Sequence, residues 1–167
     1  MPGGALEVDA ETSRRLGRIR QQDTTPERAV RRFLYAIGVR FRVRNRDLPG
    51  SPDVANRAAR WAVFVHGCFW HRHPNCRRST TPKRSREFWV AKFEANVARD
   101  ARAVEELRSR GYRVVVIWEC ETEDVSALGA ALDLFRYAGT GSRTRARRVG
   151  SSNRSGRSRP AAAPAAR

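Results

Sequence analysis

Apolar residues recur at helical spacing in three parts of the chain. The first part follows the helix-start signal Thr25-Pro26-Glu27, with threonine as N-cap and proline at the first helical position, and it runs to Gly38. The second spans about residues 86–110, and the third lies near residues 126–137. The sequence therefore predicts three helices, the middle one long.

Three other segments have the pattern of β-strands. Residues 40–44 alternate arginine with apolar residues, as a half-buried strand does, and residues 61–65 form a continuous apolar run that ends at His66. A third apolar run, residues 113–118, directly follows the long helix. A strand, a crossover helix and a second strand predict a parallel pair in an α/β core, rather than a helical bundle or a β-sandwich.

Length and composition fit one folded domain with flexible ends. The chain has 167 residues, of which 40% are hydrophobic, and this is enough for a single core. Residues 1–12 are weakly patterned, and residues 140–167 are rich in Gly, Ser, Arg, Pro and Ala, so both are expected to be disordered. We place the domain at residues 13–139, with a basic arm over residues 13–24.

The charge indicates a polyanionic partner. Lys and Arg total 34 against 17 acidic residues, for a net charge of +17, and nearly all the basic residues are arginines. The planar guanidinium suits phosphates and base edges, which favours nucleic acid over an anionic membrane surface. A GC-rich genome also enriches arginine, and this alternative applies more to the tail than to the domain.

Cellular location is predicted from what the sequence lacks. Residues 1–9 have no apolar signal segment, three cysteines cannot form a complete set of disulfides, and no stretch reaches the length of a membrane span. We expect a cytoplasmic protein with no membrane role.

Five of the six cysteine and histidine residues fall within eleven positions, and the sixth, Cys120, follows the last strand. Such clustering favours a transition-metal site, because imidazole and thiolate are common zinc ligands. His73 and Cys76 can bind one metal together with Cys120, and Asp100 on the long helix is an acceptable fourth ligand. The alternative is that Cys68 and Cys120 are small buried hydrophobic residues and that His73 is exposed.

Two polar residues are suited to phosphodiester chemistry. The turn at residues 48–52 delivers Asp53 near a strand end, where a carboxylate can bind a divalent cation. His71 is suited to general acid or base catalysis, because the unperturbed pKa of a histidine side chain is near neutrality. The alternatives are an ordinary turn residue at position 53 and a surface or structural histidine at position 71.

Phe69 and Trp70 are adjacent aromatic residues in this polar segment. Neighbouring side chains of an extended chain point in opposite directions, so the pair cannot lie wholly in a core. Aromatic residues accompanied by arginines are typical of proteins that wedge between bases. Trp89, taken alone, is interpreted as a core residue.

These residues lie in strings that resemble the very-short-patch repair endonucleases, the Vsr family of T:G mismatch nickases. The strings include DTTPE at 23–27, LPGSPD at 48–53, VFVHGCFWH at 63–71 and WEC at 118–120. They run in the family order from about residue 13 to residue 137, and the HGCFWH string is highly specific.

The resemblance implies a restriction-endonuclease-like α/β fold, in which helices flank a mixed central sheet, with a structural zinc. It implies Mg²⁺-dependent nicking on the 5′ side of the thymine of a T:G mismatch that arises by deamination of 5-methylcytosine. The implied partner is mismatched double-stranded DNA, with a MutL-type repair protein as a second candidate. We expect a monomer in the bacterial cytoplasm, associated with the nucleoid.

By matching position, the resemblance also assigns roles in catalysis. Asp53 and the backbone carbonyl of Val65 would bind Mg²⁺, and His71 would be the acid or base. His66 and Glu27 would organise the metal-bound water and the phosphates. Val65 stands where the family often has threonine, which leaves only its carbonyl for the metal.

The remaining implied roles concern zinc and DNA. The implied zinc ligands are a histidine, two cysteines and an aspartate: His73, Cys76, Asp100 and Cys120. Cys68 is not among them. The residues implied in DNA contact are three aromatics that enter the duplex and two that assist recognition: Phe69, Trp70, Trp89, Leu16 and Asn96.

Two alternatives to a mismatch nickase remain open. A zinc-stabilised DNA-binding protein without catalysis would not need Asp53 and Glu27 beside the phosphate. A related restriction-type nuclease would cut both strands as a dimer, whereas one short chain with aromatic wedges favours a monomer that acts on one strand.

Overall fold

A computed structural model of the protein describes residues 22–132, together with residues 14, 17 and 135. The elements in chain order are helix α1 (Thr25–Ala36), strands β1 (Arg42–Val43), β2 (Val54–Asn56) and β3 (Trp61–His66), helix α2 (Arg86–Ser109), strand β4 (Arg113–Trp118), a 3-10 helix (Glu119–Glu123) and helix α3 (Val125–Leu132). The predictions for the two flexible ends, and for Leu16, lie outside the described residues.

The four strands form one mixed sheet in the order β1-β2-β3-β4. β2 is antiparallel to both β1 and β3, whereas β3 and β4 are parallel and are connected through α2. This pair confirms the predicted α/β core; the closer likeness to restriction endonucleases stays a prediction. β2 was not predicted, because its three residues are too few to show an alternating pattern.

Both faces of the sheet carry a hydrophobic core. α1 and α3 pack on one face around Trp61, whose ring stacks on that of Phe135 with the centroids 4.5 Å apart. α2 covers the other face, which includes Phe64. Because side chains alternate along a strand, His66 projects to the same face as Phe64, and the two ring centroids lie 5.9 Å apart. The alternation therefore places the His66 ring on the side of α2.

The helix ends follow the predicted signals with one shift. Thr24, rather than Thr25, is the N-cap of α1, since its Oγ1 accepts a hydrogen bond from the Glu27 N–H at 3.4 Å. Gly38 has a φ of 73°, as expected of a glycine just beyond a helix. No helix in the described part of the chain is long and apolar enough to cross a membrane.

Chain direction brings the chemically important residues to one end of the sheet. β3 and β4 end together at His66 and Trp118, which are register partners. β2 runs the opposite way, so it begins at this end, and Asp53 directly precedes its first residue. We call this region, which also includes the 3-10 helix after Trp118, the polar end of the sheet.

The turn before Asp53 packs against α2 through Gly50. Gly50 has a φ of 68°, and a Cβ added there would lie 2.5 Å from Cβ of Ala103 and 3.1 Å from the ring of Phe64. The turn can therefore approach the sheet and α2 only because this position has no side chain.

We expect Gly50→Ala to destabilise the protein more than Gly38→Ala does. Both positions have a positive φ, which costs an L-residue roughly 1–2 kcal/mol. At Gly38 an added Cβ would meet nothing within 4 Å, whereas at Gly50 it would collide with packed atoms, and overpacking adds about 1–3 kcal/mol. Urea unfolding of both variants measures the difference, and equal losses would mean that the turn is not held against α2.

Candidate functional site

Asp53 is bound to the main chain of β3. Its Oδ2 accepts a hydrogen bond from the Val65 N–H at 2.7 Å. Burial raises the pKa of Asp53 to about 6, against the lowering effect of the Val65 hydrogen bond, and the charge of Glu27 raises it further. A carboxylate held in surroundings that disfavour its own charge is a typical ligand for a divalent cation, which would relieve that cost.

Asn45 fixes the turn that leads to Asp53. It is 1% exposed, and its Nδ2 donates to the carbonyls of Arg42 at 2.9 Å and Pro52 at 3.1 Å. The end of β1 is thereby joined to the residue immediately before Asp53. Sequence reasoning did not identify Asn45, because a single asparagine in a turn gives no signal of burial.

Glu27 caps α1. Its Oε2 accepts from the Asp23 N–H and its Oε1 from the Thr24 hydroxyl, each at 2.9 Å. Arg31, one turn along the helix, places Nη2 3.2 Å from the same carboxylate and 2.6 Å from Asp23. Glu27 is thus a capping residue whose charge also reaches Asp53.

His71 is oriented by α2. Its Nδ1 is hydrogen-bonded to Oδ2 of Asp100, and its ring stacks on that of His66 with the centroids 4.1 Å apart and the planes at 12°. With Nδ1 bound to a carboxylate, Nε2 of His71 is left to accept or donate a proton.

The surroundings of this group shift the pKa values of His66 and Asp100. Burial, together with the charge of His71, lowers the pKa of His66 to about 4, so His66 is neutral at pH 7. Burial opposes ionisation of Asp100, but the hydrogen bond and charge of His71 outweigh it and hold the pKa of Asp100 below its usual range. Asp100 therefore stays ionised and can stabilise a protonated His71.

The structure groups the side chains differently from the predicted zinc ligand set. Asp100 binds His71, and its expected place is taken by Cys68, so that one ligand atom from each of four residues lies within 4.8 Å of the others: Cys68, His73, Cys76 and Cys120. The physical reason is a contact distant in sequence. The Cys68 N–H donates to Oε2 of Glu119 at 3.2 Å. Glu119 is the first residue of the 3-10 helix after β4 and directly precedes Cys120, so this hydrogen bond holds Cys68 close to Cys120.

The four-residue cluster could hold a metal ion. Sγ of Cys120 and of Cys68 lie 3.3 Å and 3.6 Å from Nδ1 of His73. Burial raises the pKa of Cys68 to about 12 and also raises that of Cys120, so these thiols resist ionisation without a cation. A bound metal ion reverses that preference, because it deprotonates the thiols that coordinate it.

Trp118 separates the two groups. Its ring stacks on that of His73 with the centroids 4.3 Å apart and the planes at 11°, and it meets the ring of His66 edge-on at 5.5 Å. One indole therefore orients a histidine from each cluster. The sequence had suggested only that Trp118 ends a strand.

The aromatic residues form a third group. Phe69 meets Trp70, Trp89 and Phe93 edge-on, with centroids 5.0, 5.5 and 5.1 Å apart. Trp89 is only 6% exposed, whereas Phe69 and Trp70 are half-buried. Trp89 thus packs against the pair and is buried, as its interpretation as a core residue predicted; its contact with DNA stays a prediction. Asn96 reaches the same group, since its Nδ2 donates to the Trp70 carbonyl at 3.1 Å.

Comparison with known proteins identifies the family. A family model described as DNA mismatch endonuclease Vsr matches residues 8–78. The chain is 48% identical over 114 residues to the type II nicking enzyme V.XorIIP of Xanthomonas oryzae pv. oryzae, covering 68% of this chain and 83% of that protein. It is 39% identical over 111 residues to the DNA mismatch endonuclease Vsr of Escherichia coli, covering 66% of this chain and 70% of the relative.

The chain belongs to the Vsr family of DNA mismatch endonucleases. A third relative, the type II nicking enzyme V.NmeAIP of Neisseria meningitidis, is 37% identical over 107 residues, covering 64% of this chain and 76% of the relative. The predicted family is therefore confirmed, and with it the prediction that the chain is an endodeoxyribonuclease. The stretch matched by the Vsr model contains Asp53, both histidines of the stacked pair and three of the four residues of the cysteine-histidine cluster.

We expect Asp53→Asn to stabilise the protein at neutral pH when no Mg²⁺ is added. The pKa of Asp53 is about 6 in the folded chain against an ordinary value of 3.8, so ionisation of Asp53 disfavours folding. This cost is absent below about pH 4, grows as the pH rises, and reaches on the order of 3 kcal/mol above about pH 6. Urea unfolding at pH 5 and pH 7.5 measures it.

The exposed ion-pair residue Asp47 offers a control, since Asp47→Asn removes the same charge from the surface. Two outcomes would contradict the raised pKa of Asp53. One is a stability gain for Asp53→Asn that does not increase between pH 5 and pH 7.5, and the other is an equal gain for Asp47→Asn.

Proposed function

We propose that this Vsr-family chain is a Mg²⁺-dependent nickase that cuts one DNA strand 5′ of the thymine in a T:G mismatch. Such mismatches arise when 5-methylcytosine deaminates, and the nick would begin very short patch repair. The proposal rests mainly on the observation that Asp53 and the His66–His71 pair lie at the same end of the sheet. The Asp53 carboxylate is hydrogen-bonded to Val65, the residue adjacent to His66, and His66 stacks on His71.

Asp53 and the Val65 carbonyl would hold Mg²⁺. The fit is supported by the raised pKa of Asp53 and by its hydrogen bond to Val65, which brings the main chain of that residue to the carboxylate. Bound Mg²⁺ would neutralise the charge that develops on the scissile phosphate. Glu27 would act on the site through its charge, because its oxygens already bind Asp23, Thr24 and Arg31.

His71 would transfer a proton. Asp100 binds its Nδ1, so Nε2 is left to take the proton of the attacking water or to protonate the departing 3′ oxygen. His66, neutral at pH 7, would hydrogen-bond to the phosphate or to the water without adding charge. The hydrolysis leaves a 5′-phosphate and a 3′-hydroxyl.

Zinc would join three separate parts of the chain. Cys68 lies just after β3, His73 and Cys76 lie in the following loop, and Cys120 lies in the 3-10 helix after β4. Three thiolates and one imidazole suit tetrahedral zinc in a closed structural site. We propose this set in place of the one with Asp100.

We expect Cys68→Ser to lose zinc and Asp100→Asn to keep it. Cys68 is in the four-residue cluster, whereas Asp100 binds only His71 and Arg99 among the described residues. Cys68→Ser should lower the zinc content and the unfolding temperature together. Asp100→Asn should retain one zinc per chain and lose nicking rate by roughly 10²-fold, within the usual range for acid-base catalysis.

Metal analysis of the purified variants, together with single-turnover nicking rates, decides between the two ligand sets. Zinc kept in Cys68→Ser and lost in Asp100→Asn would restore the set that the sequence suggested.

Selection of the mismatch is assigned to Phe69 and Trp70. Both rings are half-buried: Phe69 packs on Trp89 and Phe93, Trp70 packs on Trp89, and the two residues lie in the segment between His66 and His71. A T:G wobble pair stacks less well than a matched pair, so an inserted ring has less stacking to disrupt, and unstacking a step costs a few kcal/mol. Trp89 and Asn96 would support the wedge from behind. A MutL-type partner and a monomeric state stay predictions.

A second candidate is a nicking enzyme with another target. Two of the relatives are named type II nicking enzymes, without reference to a mismatch. Family membership favours either endonuclease over a DNA-binding module without catalysis.

We expect the protein to nick a T:G duplex in Mg²⁺ and to leave the matching T:A duplex intact. The two duplexes should differ in that one base, carry a label on each strand, and be compared by mapping the cut. Asp53→Asn should bind the T:G duplex with near wild-type affinity and leave it uncut, because it removes a metal ligand but no cationic or aromatic contact.

Cutting of both duplexes at one sequence would favour the second candidate. Binding by the wild type without any cut would favour the non-catalytic module, and persistent cutting by Asp53→Asn would remove Asp53 from the mechanism.

A further inference from the structure

Exposed arginines alternate along the outer strand of the sheet and the turn that follows it. We call them the edge arginines: Arg40, Arg42, Arg44 and Arg46. None of their side chains takes part in an ion pair with any residue that the structure describes. Some other arginines, such as Arg57, Arg78 and Arg110, are instead each paired with a carboxylate. The edge arginines are therefore cations that the described fold does not neutralise.

The edge arginines lead toward the polar end of the sheet. β1 is an outer strand, with β2 on one side only. Val43 pairs with Val54, which directly follows Asp53, so the residues after Val43 continue past this end. Asn45, between Arg44 and Arg46, is hydrogen-bonded to Pro52, the residue before Asp53. Arg44 and Arg46 are thus anchored one hydrogen bond away from the Asp53 turn.

The turn that carries Arg44 and Arg46 is kept in an unfavourable conformation. Arg44 has a φ of 57°, in the left-handed region that residues with a Cβ seldom adopt. Oδ1 of Asn45 is buried without a hydrogen-bond partner among the described residues. Both features cost stability, and such strain is concentrated where a fixed geometry serves function.

We propose that the edge arginines are a backbone-binding surface that holds the DNA phosphates flanking the nick. This inference rests on the proposed function, and it names a part of the DNA interface that lies outside the aromatic wedge. Arg42 lies in β1, and the turn beyond it brings Arg44 and Arg46 close together, because the Arg46 N–H donates to the Arg44 carbonyl at 3.0 Å. Guanidinium groups bind phosphate through two parallel hydrogen bonds, so a group of exposed arginines without carboxylate partners suits a DNA backbone.

Protection of an outer strand is the competing explanation. Charged side chains on an outer strand prevent pairing with other chains. That role would account for Arg42, which lies in β1. It gives no reason for Arg44 and Arg46, which lie beyond the strand in a turn that is joined to Pro52.

The test compares two double variants that remove equal charge. Arg44→Ala with Arg46→Ala changes the proposed surface. Arg108→Ala with Arg110→Ala is the control, because α2 ends at Ser109 just before β4 begins, at the opposite end of the sheet from Asp53. Binding of an uncut T:G duplex is measured without Mg²⁺ over a range of salt concentrations, and urea unfolding checks that each variant is folded.

The edge variant should bind more weakly and with less salt dependence than the wild type. Each phosphate contact contributes about 0.9 to the slope of log Kd against log salt, so the slope should fall by about 1.8, while the control keeps the wild-type slope. The double variant Arg44→Lys with Arg46→Lys should keep most of the wild-type salt slope, because it keeps both positive charges.

Equal slopes in the edge and control variants would overturn the proposal. Self-association of Arg42→Ala with unchanged DNA binding would assign the edge arginines to strand protection instead. A parallel nicking assay of the wild type on the T:G duplex distinguishes failure of the proposed surface from failure of the proposed nickase function. If the wild type nicks but the edge variant keeps the wild-type salt slope of log Kd, only the proposed surface is refuted. If the wild type neither binds nor nicks the duplex, the proposed function is refuted as well.

Discussion

The parallel pairing of β3 with β4 is the contact on which the whole site depends. Its register sets His66 beside Trp118, and the Trp118 ring then contacts the rings of both His66 and His73. Each residue cluster draws members from elements that are distant in sequence. Cys68 follows β3, Cys120 follows β4, and Asp100 belongs to the helix between them. A slip in this pairing would therefore break the cysteine-histidine cluster and the stacked histidines together.

Both candidate metal sites contain groups whose charged forms the metal-free fold disfavours. Burial raises the pKa of Asp53 in one site and those of Cys68 and Cys120 in the other. In each case a cation would reverse the preference, so metal binding and stability are coupled. The histidine pair differs, because Asp100 supplies the compensating charge from within the protein. The charged forms at the two candidate metal sites would therefore need a cation, whereas the histidine pair already has a carboxylate beside it.

The positive charge has more than one role in this Vsr-family chain. Some arginines are internal braces, such as Arg31 between Asp23 and Glu27, and Arg72, which lies over the ring of Phe93 at 4.9 Å. The edge arginines have no such partners among the described residues, and they lie on the side of the sheet that leads to Asp53. Net charge alone cannot separate these roles, because it counts a bridged arginine and a free one alike.

The sequence by itself determined the helices, the buried strands and the residues from which the site is made. Periodicity fixes α1, α2, β3 and β4, because burial of one face demands it, and the clustering of His and Cys marks the metal-binding segment. Only the tertiary structure decided that Cys68 joins His73 and that Asp100 binds His71. The loop after β3 has no repeating pattern to set the direction of its side chains. Their directions are set by contacts with distant residues, such as that of Cys68 with Glu119, and these form only when the strands pair.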